Sequence, residues 1–564
     1  MRGYWWGRLA LLALCALAQA VLLGGPTEAL PAEPPAPVPT AFDGARAYAA
    51  TRELVERFPR RTTGSDADAA AATWMGQRFA ALGLPVEEQS FRAWGTWGDE
   101  RFALHPGRNV VAVSAGAESQ AVVIGAHRDV APGTVQGAED NGSGSGALLE
   151  LARVLNATPH RLSFVFVSFG AEETGLGGSR YYLTNPMLQT TLALSVDAVG
   201  QANGERLVLL DAWSLPAPLA WELGRRAEAA GLVDAPPRRG ALALLRLEPV
   251  LGAGVTDSLP FALRREPAVG LSWGEPPYGA AHTPRDTLDR IAPASMGRVG
   301  ALAEGLVRQV DARPELLSGR TEDYLLAPDG RYVPPGRVGA AGLTLTLLAL
   351  GQAALALIAA CRDRAVTCTD PIPARARLLV EGRFVLAALG AAALAGAVPV
   401  VQPRDVLPGP GYLLAWTAWW TLLVALPGVE RRLGSPPGVA VRRAELVVAC
   451  GVSYVGFAWL VSPYVALLAA GYPLLVLSWL PLGVDATERR LGWLLLAPWG
   501  VVVLAALLLV GVASVFVPEI VPPIEAAWAS ALLVLPIAVA LALLRDRRAA
   551  ERVPATLAPH GAFR

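Results

Sequence analysis

Acidic and histidine side chains recur at five places in this chain, each at the end of an apolar run or in a loop. In chain order these are His127 with Asp129, Asp140, Glu172 with Glu173, Asp197, and His282. Imidazole nitrogens and carboxylate oxygens bind divalent metal ions, and two ions about 3.5–4 Å apart share a bridging carboxylate. A further carboxylate can serve as general base. The set therefore predicts a two-metal hydrolase centre.

Strand-like runs precede most of these residues. The β-rich runs are Asn109–Val113, Ala121–Ala126, Ser163–Phe169 and Ala193–Val196, and the metal-binding types follow the last three. Open α/β sheets carry their chemistry at the carboxyl ends of strands. Asp140 instead lies on a glycine-rich loop before the apolar helix Gly146–Leu155, and His282 lies in a loop.

Two local arrangements suggest separate roles. Glu172 and Glu173 are adjacent at a strand end and point differently, so one can bind metal while the other remains free as base. Asp129 follows His127 by two residues and is placed to hydrogen-bond a ring N–H and fix the tautomer.

Helical patterns alternate with these strands, beginning with helical spacing over Ala45–Leu82. The alternation predicts one α/β domain over residues 41–315, a sheet covered by helices on both faces. Formal net charge is zero, which gives no electrostatic case for nucleic acid. The four cysteines all lie outside this domain, which excludes a disulfide framework and a cysteine metal site there.

Apolar segments flank the domain and predict attachment to a lipid bilayer. Residues 1–24 are typical of a signal peptide or an uncleaved signal anchor, and the Pro/Ala-rich residues 25–40 are typical of a linker. A second linker is predicted at 316–337, an all-α transmembrane domain at 338–545, and a cytoplasmic tail at 546–564. About seven spans are predicted, near 338–360, 384–401, 411–428, 445–461, 464–482, 491–516 and 526–544.

Arginines mark one alternating set of the loops between these spans, whereas the opposite set holds little beyond Arg404. The positive-inside rule makes the arginine-rich loops cytoplasmic. Residues 41–315 are then predicted outside the cytoplasm, in a multi-pass protein of a bacterial cell membrane.

Five stretches resemble peptidase family M28, the metallo-aminopeptidases, over roughly residues 105–292. They are GAHRDV (125–130), GAEDNGSGSGALLELARVL (137–155), VSFGAEETGLGGSRYY (167–182), SVDAVG (195–200) and HTPRDTLDRI (282–291). The layout also resembles membrane-bound forms of that family, in which an external peptidase domain precedes a polytopic C-terminal domain.

The resemblance implies a mixed, twisted sheet of the zinc-aminopeptidase kind, a peptide substrate and two zinc ions. It implies that His127 and Asp197 bind one ion, that Glu173 and His282 bind the other, and that Asp140 bridges them. Glu172 would be the general base and Asp129 the residue that orients a ligand. Mixed oxygen and nitrogen ligands also accept manganese or cobalt.

Three departures from the family pattern leave substrate specificity open. Arg128 stands where an aromatic or aliphatic residue is usual, and Glu139 stands where a second Asp is usual. The stretch Thr256-Asp257-Ser258 lacks the histidine of its family motif, and Asp257 is either a substrate contact or a loop cap.

Other functions remain open at this point. A related glutaminyl cyclase or carboxypeptidase would share the fold, although retention of His127 and Asp197 favours two metals over a single-zinc cyclase. An inert peptidase-like binding module would be expected to lack ligands. Transport by the membrane half is disfavoured because its spans hold few acidic groups. The oligomeric state stays open.

Overall fold

The structure is a computed structural model that describes residues 2–25, 27–31, 38–94, 103–235, 238–239, 255–317 and 324–367, parts of 450–474, and residues 494, 499 and 501. Its strands are β1 (Glu28–Ala29), β2 (Val86–Trp94), β3 (Leu104–Ser114), β4 (Gln120–His127), β5 (Ser163–Phe169), β6 (Gln189–Val196), β7 (Arg206–Leu210), β8 (Ala268–Glu275), β9 (Leu325–Leu326) and β10 (Arg331–Val333). Its main helices are α1 (Arg2–Gly24), α2 (Gly44–Arg57), α3 (Asp66–Ala81), α4 (Gly144–Asn156), α5 (Gly177–Thr184), α6 (Ala217–Ala229), α7 (Leu259–Leu263), α8 (Pro293–Ala312), α9 (Pro335–Thr367) and α10 (Pro463–Ala466).

Seven strands form one mixed sheet in the order β2-β3-β5-β4-β6-β8-β7. The pairs β5–β4, β4–β6 and β6–β8 are parallel, and the outer pairs are antiparallel. The central strands β4 and β5 are almost wholly buried, and β6 is buried over its last five residues, as expected for strands covered on both faces. Their parallel alignment brings the carboxyl ends of β4, β5 and β6 to one edge. The predicted mixed α/β sheet is confirmed.

Apolar side chains cover both faces of this sheet. On one face, Phe166 packs in a cluster with Leu54 of α2, Phe79 of α3 and Leu148 of α4. On the other face, Val123, Val165 and Val167 pack with residues of α5 and α7. Helices therefore lie on both sides, in agreement with the sequence pattern.

The helical pattern predicted over Ala45–Leu82 is two helices rather than one. Residues 58–65, here the α2–α3 loop, separate them. Pro59 removes a main-chain donor, and Gly64 takes a left-handed conformation with φ of 77°. Ser65 then begins α3, because its hydroxyl accepts a hydrogen bond from the N–H of Asp68 at 3.1 Å.

The two predicted linkers contribute strands to a second, three-stranded sheet. Strand β1, from the segment 25–40, pairs with β10, and β10 pairs with β9, both from the segment 316–337. This tether sheet (β1, β9 and β10) docks on α6, where Trp221 donates its indole N–H to the carbonyl of Pro31 at 2.8 Å. Tyr324 donates to the carbonyl of Leu215 at 3.0 Å. Both connections are thus fixed to the α/β domain.

Within the described residues, one helix is long and apolar enough to cross a membrane, Pro335–Leu355 of α9. It covers most of the first predicted span, 338–360. A shorter apolar helix, Leu9–Gly24, lies within α1. Most of the other predicted spans and the tail lie outside the described residues, and the predicted transmembrane bundle stays a prediction.

Helices α2 and α4 approach closely because Gly146 lies at their contact. A methyl group added at Gly146 would overlap the hydroxyl of Thr51 and the carbonyl oxygen of Ala47. The Thr51 hydroxyl lies within hydrogen-bonding distance, 3.0 Å, of the carbonyl of Gly142, in the turn that leads into α4. The contact therefore supports the loop that carries Asp140.

We expect Gly146→Ala to destabilise the α/β domain by about 1–3 kcal/mol, because the backbone of α2 must move away. Thermal unfolding of the full-length chain in detergent measures the effect. Gly297→Ala in α8 is the matched control. The added methyl group would lie an ordinary 3.8 Å from its nearest neighbour, and alanine is more stable than glycine within a helix. Equal unfolding temperatures for the two variants would contradict the close contact.

Candidate metal centre

Six side chains converge at the edge of the sheet where β4, β5 and β6 end. These residues, here the metal centre, are His127, Asp140, Glu172, Glu173, Asp197 and His282. His127 is the last residue of β4, the glutamates follow β5, and Asp197 follows β6. All six metal and base candidates named from the sequence are therefore brought together.

Three of these residues surround His127, whose side chain is only 1% exposed. Its Nε2 lies 3.3 Å from Oδ1 of Asp140, 3.5 Å from Oδ1 of Asp197 and 3.9 Å from Oε2 of Glu172. His127, Glu172 and Asp197 form a first group whose candidate ligand atoms lie within 4.8 Å of one another.

Asp140, Glu173 and His282 form a second group by the same measure. The Nε2 of His282 lies 3.1 Å from Oδ2 of Asp140 and 3.3 Å from Oε2 of Glu173. His282 is 43% exposed on its side chain, so this side of the centre opens to solvent. Asp140 directs one carboxylate oxygen to each histidine, as a bridging ligand would.

Crowded carboxylates dominate the electrostatics of the centre. Burial raises the pKa of Glu172 and of Glu173 well above the ordinary value, and neighbouring carboxylates raise it further, against the opposing charges of the histidines. The hydrogen bond to Asp140 raises the pKa of His282 to about 9. Burial also acts to raise the pKa of Asp140, but hydrogen bonds from both histidines outweigh it and leave that pKa low.

The residues present fit divalent cations. Each group offers one imidazole nitrogen and two carboxylate oxygens, which is the ligand chemistry of zinc in hydrolases. Burial acts to lower the pKa of His127, but its acidic neighbours outweigh this effect and raise it, and a hydrogen bond to Asp140 raises the pKa of His282. Acidic neighbours thus favour positive charge at these positions, and a divalent cation would supply that positive charge directly. The charges of the site therefore favour metal binding.

Asp129 is buried beneath the centre, and its contacts differ from the predicted one. The Nδ1 of His127 lies 3.2 Å from the main-chain oxygen of Asp129 and 3.8 Å from its carboxylate. The carboxylate instead accepts hydrogen bonds from the N–H groups of Glu172 and Glu173, each at 3.2 Å. Asp129 therefore orients the loop of the two glutamates, while its main chain faces the imidazole.

The residues around Asp140 fix its loop to the segment that follows β6. The amide of Asn141 donates to the carbonyl of Val196 at 3.0 Å. Glu139 accepts hydrogen bonds from the N–H groups of Gly200 and Gln201 at 2.8 and 2.9 Å. Burial raises the pKa of Glu139 to about 8. The usual second Asp of the family pattern is thus replaced by a residue with a supporting role.

Asp286 joins this loop to the segment that carries His282, and no sequence pattern predicts this role. Its carboxylate accepts hydrogen bonds from the N–H groups of Glu139 at 2.8 Å and Asp140 at 3.0 Å. It also accepts from the hydroxyl of Tyr278 at 2.8 Å. Because Asp286 follows His282 by four residues, it couples two members of the second group.

Asp257 lies buried near the centre, and burial raises its pKa to about 7. The neighbouring charges that act on it include those of His127 and Asp197. Ser258 is the N-cap residue of the adjacent helix α7, and no side chain accepts a hydrogen bond from the first N–H groups of that helix. Asp257 therefore does not cap that helix.

Part of the α/β domain is similar to known peptidases. Residues 109–307 match the model of peptidase family M28. These residues are therefore similar to a peptidase M28 domain. Aminopeptidase YwaD of Bacillus subtilis is 30% identical over 199 residues, which are 33% of this chain and 40% of that protein. The probable lipoprotein aminopeptidase LpqL of Mycobacterium tuberculosis is 37% identical over 122 residues, 19% of this chain and 24% of that protein.

The chain thus spans less than half the length of these curated relatives. Two solved structures are similar in fold. A zinc aminopeptidase from Bacillus subtilis has 18% identity and a TM-score of 0.41, covering 51% of this chain and 98% of its own. A glutaminyl cyclase from Bacteroides thetaiotaomicron has 21% identity and a TM-score of 0.40, covering 48% and 98%.

Replacing Asp286 by Asn should weaken metal binding at the second group by about tenfold or more, as for other partners that support ligands. The N–H groups of Glu139 and Asp140 now donate to the two carboxylate oxygens. In the variant, one of them would lose its acceptor and face the amide NH₂. Titration of the metal-free, full-length chain with zinc measures this affinity. Asp289→Asn, at an exposed carboxylate of the same segment, is the control. Equal zinc affinity in the two variants would remove Asp286 from the support of the site.

Proposed function

We propose that this protein is a zinc-dependent aminopeptidase that removes N-terminal residues from peptides. The observation that carries the proposal is the position of Asp140, with one oxygen toward His127 and the other toward His282. This arrangement, inside an M28 domain, suits a pair of metal ions that share one carboxylate.

The similarity to family M28 supports a role for each residue, with Glu172 of the first group kept as the general base and not as a ligand. His127 and Asp197 would hold one zinc ion, Glu173 and His282 the other, and Asp140 would serve both. When bound, the ions would polarise the carbonyl of the scissile bond and lower the pKa of a water molecule toward neutrality.

Glu172 remains available as general base. It is adjacent to the ligand Glu173 and its carboxylate reaches 3.9 Å from Nε2 of His127. Glu172 would remove a proton from the attacking water and then donate it to the leaving amine. Asp129 would keep Glu172 in place through the main-chain hydrogen bond at 3.2 Å. A free α-amine of the substrate would bind at the carboxylate-rich centre, which favours removal of single N-terminal residues.

Glu172→Gln should lower kcat about 100- to 10,000-fold while zinc content stays unchanged, because only the proton transfer is removed. Peptide hydrolysis and metal analysis on the full-length chain measure both quantities. Glu87→Gln, at an exposed position of β2, is the control. Loss of zinc together with activity would instead make Glu172 a metal ligand, and unchanged activity would remove its role as base.

Substrate class is tested with matched peptides that carry a free, an acetylated or a glutaminyl N-terminus. We expect two zinc ions per chain and hydrolysis of the free-amine peptides alone. Hydrolysis of acetylated peptides would contradict the aminopeptidase. Ring closure of N-terminal glutamine with release of ammonia, without hydrolysis, would identify a cyclase. Absence of both metal and turnover would identify an inert binding module.

We further propose that α1 and α9 anchor the chain in a membrane, with the peptidase domain outside the cytoplasm. Polar contacts lie between the helices: the amide of Gln19 donates to the carbonyl of Ala341 and the hydroxyl of Thr344, each at 2.6 Å. Apolar side chains point outward, with Leu14 72% exposed and Leu343 58% exposed. Apolar outer faces around a polar contact are the pattern expected in lipid.

The packing of α1 on α9 predicts that residues 1–24 stay attached as a signal anchor. Gln19, which bonds to α9, lies within the possible cleavage site Ala18-Gln19-Ala20. The intact mass of the full-length chain purified from membranes should include these residues. Measuring the Glu172→Gln chain in parallel excludes self-processing. A mature N-terminus after Ala20 would contradict retention of α1.

A further inference from the structure

The α2–α3 loop lies outside the family match at 109–307, yet it reaches beneath the metal centre. Its Arg61 is completely buried. The three guanidinium nitrogens all donate to main-chain carbonyl oxygens: Nε to Arg128, Nη1 to Gln136, and Nη2 to Gly137 at 2.8 Å. A buried cation thus donates all of these hydrogen bonds to one short stretch of backbone.

These three carbonyls lie at the two ends of the segment that joins His127 to Asp140. Arg128 directly follows the first ligand, and Gly137 comes three residues before the second. A guanidinium group is planar and its donors keep a fixed geometry. The spacing of the three carbonyls, and therefore of the two ends of the segment, is set by one rigid group.

Main-chain contacts reinforce this clamp. The N–H of Val130 donates to the carbonyl of Arg61 at 3.2 Å, and the N–H of Arg60 donates to the carbonyl of Val135 at 2.8 Å. The hydroxyl of Thr63 donates to the carboxylate of Asp129 at 2.8 Å, which in turn holds the two glutamates. The α2–α3 loop therefore contacts Asp129, which supports one glutamate of each group.

Charge adds to the geometric effect. Burial lowers the pKa of Arg61 to about 10, but Asp286, Asp129, Asp68 and Asp140 act in the opposite direction. Arg61 remains positively charged at neutral pH. A fixed cation close to these acids offsets part of their mutual repulsion.

We propose that Arg61 is a positioning residue that sets the spacing of His127 and Asp140 and thereby the affinity of both groups for metal. The inference rests on the proposed metallopeptidase function and extends it to a loop outside the matched family region. It differs from the role of Asp286, whose hydrogen bonds reach Glu139 and Asp140 at one end of this segment and not His127 at the other.

The test is a cobalt(II) titration of metal-free, full-length protein, followed by calorimetry and visible absorption. Arg61→Lys keeps the charge but cannot span three carbonyls. We expect its dissociation constants for both ions to rise about tenfold or more, and its cobalt spectrum to change. Arg61→Met should show a larger effect, and Thr63→Val, which removes one hydrogen bond, a smaller one.

Arg308 offers a matched control. Its side chain, partly buried, also donates to a main-chain carbonyl, that of Val154 at 3.1 Å near the far end of α4. Arg308→Lys should lower the unfolding temperature of the metal-free protein without changing cobalt affinity or spectrum. If Arg61→Met fails to fold, Arg61→Lys and Thr63→Val decide the question.

The outcomes separate this inference from the proposed function. If the unmodified protein binds two cobalt ions and Arg61→Lys binds them with the same affinities and spectrum, the positioning role is wrong and the metallopeptidase proposal stands. A lower unfolding temperature alone would also overturn it, because the effect would match Arg308→Lys. If the unmodified protein binds no cobalt, the proposed function itself fails.

Discussion

The structure at the metal centre depends on one carboxylate that lies between two imidazoles. Asp140 can face both His127 and His282 only if three segments, distant in sequence, keep their mutual positions. Main-chain hydrogen bonds to Asp286 hold it from one side. The contacts of Glu139 and Asn141 with the segment after β6 hold it from the other. The centre is therefore built by its supports as much as by its ligands.

Much of this arrangement could be predicted from the sequence, because the central strands leave a strong signal. β4 and β5 are buried over nearly their whole length and β6 over its last five residues, so apolar residues dominate these stretches. Residues at their ends then meet at one edge of the sheet. The prediction missed β2, β7 and β8. β2 lies at the edge and exposes most of its side chains, and glycines interrupt the apolar pattern of β8.

The supporting residues could not be found in the same way, and the reason is physical. Arg61 and Asp286 act on main-chain carbonyl and N–H groups, which nearly every residue possesses. No residue type or spacing elsewhere in the chain marks such a partner. The ligands, in contrast, are recognised by side-chain chemistry alone. The contacts of Asp129 show both cases, since its place near His127 was predictable but its bonds to the glutamate N–H groups were not.

The tether sheet has a mechanical consequence for a domain attached to a bilayer as proposed. Glu28 pairs with Tyr332 and Ala29 with Arg331, so the chain segment that leaves α1 and the one that leads to α9 run side by side. The sheet is also docked on α6 by Trp221 and Tyr324. A domain on one flexible linker could swivel about it, whereas two paired strands resist rotation about either one. The solvent-exposed side of the metal centre would then keep a fixed orientation relative to the lipid surface. Peptides would reach it from one direction.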